Sequence, residues 1–75
     1  MKKLYVKICF RNIDVYYEKI DNGLGILFEQ GPKKLLLDIS GNIEDCCGFD
    51  SSEVDYCKLF LSRNNELIKE LAEEE

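Results

Sequence analysis

The sequence predicts an α+β fold: a four-stranded antiparallel β-meander followed by one C-terminal α-helix packed on one sheet face, in the order ββββα. Three observations carry this. Four segments rich in β-forming residues lie close together, about 3–10, 13–20, 24–29 and 34–39, with turn signals between them. A single long stretch from about 51 to 72 has apolar residues at helical spacing. Short separators leave no room for the crossover that parallel strands need, so neighbouring strands must run antiparallel. At 75 residues the chain allows one domain, 1–75, with a small core.

The turns and the hydrophobic pattern can be checked against one another, because a one-residue slip moves every side chain to the other face. A two-residue loop at Arg11-Asn12 sets Phe10 opposite Ile13, Ile8 opposite Val15 and Val6 opposite Tyr17. Asn22-Gly23 is a strong hairpin signal, since a tight turn with positive φ suits both residues; it sets Tyr17 opposite Phe28. A four-residue loop at 30–33 sets Phe28 opposite Leu35, Ile26 opposite Leu37 and Leu24 opposite Ile39. These registers agree on one apolar face, which includes Leu4, Val6, Ile8, Phe10, Ile13, Val15, Tyr17, Ile26, Phe28, Leu35 and Leu37.

Residues 40–49 read as an acidic loop. The helix then opens on Asp50 as cap, with Glu53 three residues on as in a capping box, and with Phe49 and Val54 placed as a hydrophobic staple. Val54, Cys57, Phe60, Leu61, Leu67, Ile68 and Leu71 form the stripe that covers the sheet, and Asn64 sits at its edge. Three acids at 73–75 oppose the helix dipole, so the end is expected to fray.

With 45% hydrophobic and 33% charged residues the composition is globular rather than disordered. Lys7 and Arg11 break the first apolar run, and no stretch approaches a membrane span, so the expectation is a cytoplasmic chain with reduced cysteines and no membrane partner. Net charge is −5, divided unevenly: residues 1–34 carry +3 and residues 35–75 carry −8. A domain this small gains from association, so a protein partner or a homodimer is expected.

Catalysis is disfavoured. The chain has no His, so neither a Ser–His nor a Cys–His pair can form within it, and no phosphate-binding glycine loop or nucleophile elbow is present. Cys9, the adjacent Cys46 and Cys47, and Cys57 lack the paired spacing of a zinc site; the last three would need an outside ligand. Oxygens alternate at Asp38, Ser40, Asn42 and Glu44, but the glycine and glutamate of a calcium loop are missing from its sixth and twelfth positions. No cofactor and no metal are therefore expected.

The second sheet face is where the sequence points to function. The registers place Tyr5, Glu18, Leu27 and Leu36 in one row and Lys7, Tyr16, Glu29 and Lys34 in the next, with Ile20 beside them. A solvated antiparallel face ordinarily alternates to polar residues. Here Tyr5, Tyr16, Ile20, Leu27 and Leu36, with Lys7 and Lys34 among them, have the composition of a protein interface. The expectation is a small noncatalytic binding module, an inhibitor, adaptor or regulatory subunit, of the size that phages and mobile elements use against host factors. The alternatives are single-stranded nucleic-acid binding on the same face, with bases on the tyrosines and phosphates on Lys7, Arg11 and Lys34, or mimicry of nucleic acid by Glu44, Asp45, Asp50, Glu53 and Asp55. Asp14, Glu18, Glu29 and the net negative charge disfavour nucleic acid as a partner.

Overall fold

A computed structural model describes residues 2–21 and 23–74. Strands β1 (Lys3–Ile8), β2 (Ile13–Ile20), β3 (Gly23–Gln30), β4 (Lys33–Asp38) and β5 (Ile43–Cys47) form one antiparallel sheet in the order β1-β2-β3-β4-β5. Helix α1 (Ser51–Glu73) follows and lies across one face. The α+β class, the meander and the C-terminal helix agree with the sequence pattern. The sheet has one strand more than expected, because part of the presumed acidic loop pairs with β4.

That fifth strand depends on a turn built by one carboxylate. Asp38 Oδ1 accepts hydrogen bonds from the backbone N–H of Ser40 (3.0 Å) and Asn42 (2.9 Å), and Oδ2 accepts from the Asn42 amide (3.1 Å). Gly41 completes the reversal at φ 94, a conformation that other residues rarely adopt. The alternating oxygens at 38–44 thus serve chain reversal, with Asp38 satisfying backbone donors. These bonds, the one from the Asn42 backbone foremost, hold the Asp38 carboxyl below its ordinary value.

Two registers differ from expectation by an even number of residues, so the faces survive. Residues Cys9–Arg11 form a 3-10 turn that Asn12 ends at φ 56, its N–H donating to the Cys9 carbonyl, and Ile8 faces Ile13 across it. Asn tolerates this left-handed conformation better than most residues. Phe10 is therefore in the turn and 82% exposed, not in the core. In the second hairpin Ile20 faces Gly23, Tyr17 faces Ile26 and Val15 faces Phe28. Gly23 thus pairs within β3 instead of standing in the turn, and the expected turn residue Asn22 lies outside the described residues. Phe28 opposite Leu35 and Ile26 opposite Leu37 are as the sequence predicts.

One irregularity reverses a face. Leu4 pairs with Tyr16 and Val6 with Val15, leaving Tyr5 as an extra residue in a β-bulge. Leu4 is turned to the outer face, 57% exposed, and Tyr5 to the helix. There the Tyr5 hydroxyl donates to Asn64 Oδ1 at 2.8 Å, and its ring meets Phe60 edge-on with centroids 6.4 Å apart.

The core lies between sheet and helix: Ile8, Ile13, Val15, Tyr17, Ile26, Phe28, Leu35 and Leu37 meet Phe49, Cys57, Leu61 and Ile68. Phe60 stands edge-on to Phe28 at 6.1 Å. The helix start is fixed twice. Asp50 and Glu53 close the capping box, with Glu53 N–H to Asp50 Oδ1 at 2.8 Å and Asp50 N–H to Glu53 Oε1 at 3.0 Å. Lys33, at the start of β4, reaches the Glu53 carboxylate at 3.1 Å. The helix continues to Glu73, one residue past its expected end, with the Glu74 N–H donating to the Glu70 carbonyl. Leu67 and Leu71 of the expected stripe remain exposed on its flank.

Candidate protein-binding face

The pairings give the outer face its rows. Leu4, Tyr16, Leu27, Leu36 and Asp45 run side by side across all five strands. The next row is Lys7, Asp14, Glu29, Lys34 and Cys47. Tyr16 is thus a direct neighbour of Leu27, in the leucine row rather than among the charges. Four apolar side chains in succession cross three inter-strand gaps, roughly 14 Å.

Ile20 extends this row into a patch. A Cβ on Gly25 would stand 2.9 Å from Ile20 Cγ2 and 3.2 Å from Leu36 Cδ1. The missing side chain is what allows Ile20 to lean over β3 towards Leu36. Leu27, Leu36, Ile20 and Tyr16 are each half-buried. Lys2 arches over the patch, its ammonium 4.3 Å from the centre of the Tyr16 ring and 2.7 Å from Glu29 Oε2. The bond to Glu29 raises the Lys2 pKa above its ordinary 10.5.

Of the residues that the sequence nominates for this face, Lys7, Tyr16, Ile20, Leu27, Lys34 and Leu36 are brought together on it. Tyr5 is not; the bulge gives it to the helix side. Its place is taken by Leu4, which strict alternation assigns to the core. Only the pairing of β1 shows this, because a bulge leaves no mark on the alternation of Leu4, Val6 and Ile8.

The cations are partly engaged. Lys7 is 3.8 Å from Asp14, and Arg11 turns to the helix side, where its guanidinium stacks 4.0 Å from the Tyr56 ring. Arg11 is therefore not on the face that carries Tyr16.

The acidic residues divide into two groups. Glu44 and Asp45 lie on β5, exposed at the sheet edge, and Asp55 is exposed on the helix. Asp50 and Glu53 are occupied in the cap, and the backbone N–H of Asp50, with Lys33 second, holds the Glu53 carboxyl below its ordinary 4.5. A phosphate-like array of all five is not assembled.

The thiols are dispersed. Cys9 Sγ is directed to the Lys7 carbonyl and Cys46 Sγ to that of Phe49, while burial pushes the Cys57 thiol up to about 12. Among the described residues no group of three or more His, Cys, Asp or Glu side chains is placed to hold a metal ion. None of the described helices is long and apolar enough to cross a membrane. Comparison with protein-family models, with curated proteins and with solved structures gives no match to this chain.

Proposed function

We propose that the chain is a small noncatalytic protein-binding module that acts through the outer sheet face. The observation that supports this reading is the unbroken row Leu4, Tyr16, Leu27 and Leu36, widened by Ile20 over Gly25 and bordered by Lys7, Lys34, Glu29 and Asp45. An apolar centre with a mixed-charge border is how protein interfaces are built, with the rim giving orientation more than affinity. The module works by occupying a partner's surface, as an inhibitor, adaptor or regulatory subunit does.

The test compares two baits, the wild-type chain and Tyr16→Ala/Leu27→Glu, in captures from a bacterial lysate. A protein retained by the first and lost from the second, at matched melting temperature, is the expected result. Equal capture by both removes the outer face from the account.

A further inference from the structure

Most of the exposed large hydrophobic side chains among the described residues lie along one sheet edge and the helix flank beside it. Leu4 and Val6 are on β1 and Phe10 is in the turn that ends it, whereas Ile43 on β5 and Leu59 on α1 stand apart. Leu67 and Leu71 continue, at helical spacing, the flank of α1 from which Phe60 and Asn64 meet Tyr5. Strand β1 has β2 on one side and no described strand on the other.

Charge follows the same edge. From Lys2 to Asn12 the chain holds Lys2, Lys3, Lys7 and Arg11 and no acid at all. Arg63, seven residues after Tyr56, lies on the same helix flank, and Glu70 and Glu74 bring acids to it only at the C-terminal end. Asp14 answers Lys7 from the neighbouring strand at 3.8 Å, yet the Lys7 side chain keeps 58% of its surface exposed.

The geometry points to β1 as a site of strand addition for an extended acidic segment of a partner protein, one in which apolar residues alternate with Asp or Glu. Main-chain hydrogen bonding to a free sheet edge supplies affinity, and alternate side chains supply specificity. The apolar residues of the added strand lie on the helix side, beside Val6 and Leu67, and its acids lie on the outer side, where they meet Lys7.

A second copy of β1 is the wrong occupant, because its lysines would face lysines. Edge lysines and a bulge ordinarily discourage pairing by uncharged strands, and an acidic strand turns that protection into selection. The site shares Leu4 and Lys7 with the outer face, and the variant Tyr16→Ala/Leu27→Glu, which alters neither, separates the two readings.

The probe is a synthetic peptide of about eight residues alternating Val and Glu, matched by one alternating Val and Lys. Each is titrated into the isotope-labelled full chain at low salt, with backbone amides followed by NMR. The expected result is shifts confined to Lys3–Ile8 and the adjoining helix flank, with binding roughly tenfold weaker for the Lys peptide. The variant Lys3→Glu/Lys7→Glu should reverse that preference, and Tyr16→Ala/Leu27→Glu should leave it intact. No shift at about 1 mM peptide, equal binding of both peptides, or shifts centred on Leu27 and Leu36 overturns the proposal. So does self-association of the free chain through this edge, which would make the acidic β5 of a second copy the occupant.

Discussion

Tyr5 shows how one residue decides what a face contains. Its hydroxyl donates to Asn64 Oδ1, and the Asn64 amide in turn donates to the Phe60 carbonyl at 2.8 Å, so a polar residue within an apolar helix stripe is fully employed. Tyr5→Phe removes one bond and leaves a part-buried acceptor, and thermal unfolding should register a loss of about 1 kcal/mol. If Tyr5 stood on the outer face, where alternation places it, the same change would leave stability unaltered. Phe28 offers the larger effect: wholly buried between β2, β4 and Phe60, its replacement by Ala should cost about 3–5 kcal/mol in denaturant unfolding.

At the scale of elements, the sequence was most legible where local chemistry and periodicity agree. The cap at Asp50, the β3–β4 register and the apolar face centred on Val15, Ile26, Phe28 and Leu37 are all local patterns that the fold respects. What was not legible has physical causes. Strand β5 reads Ile-Glu-Asp-Cys-Cys, with little β-propensity and five exposed residues, and it exists because Asp38 folds the chain back onto β4. The bulge at Tyr5 exchanges Leu4 and Tyr5 without disturbing any residue count.

Asp38→Ala should therefore raise amide exchange in β5 while β2 and β3 keep their protection. Acid should act on the same turn and on the helix cap. The folded-state carboxyls of Asp38 and Glu53 titrate below their unfolded values of 3.8 and 4.5, so their stabilisation is present above that range. It is lost as pH falls through the lower folded values. Melting temperature measured downward from neutral pH should hold until the ordinary carboxylate range and fall below it, and the fall should be smaller in the Asp38→Ala chain.

For the molecule as a whole, the two sheet faces and the two sheet edges present different side chains. The helix covers one face and leaves the other to the row from Leu4 to Leu36. Five strands and the two side-chain rows give that outer face a footprint of roughly 300 Å². A standard interface buries about 800 Å² on each partner, so the outer face alone suits a weak contact. Past Leu4 the exposed apolar surface continues onto the β1 edge and the helix flank, with Val6, Phe10 and Leu67. The opposite edge exposes Glu44 and Asp45.

The most direct test of the central claim is the dissociation constant of the captured partner for the wild-type chain and for Tyr16→Ala/Leu27→Glu. Loss of two adjacent central contacts predicts at least about 100-fold weaker binding with the melting temperature nearly unchanged. Affinities within about threefold of one another, which is under 1 kcal/mol, would contradict the assignment of the outer face as the binding surface.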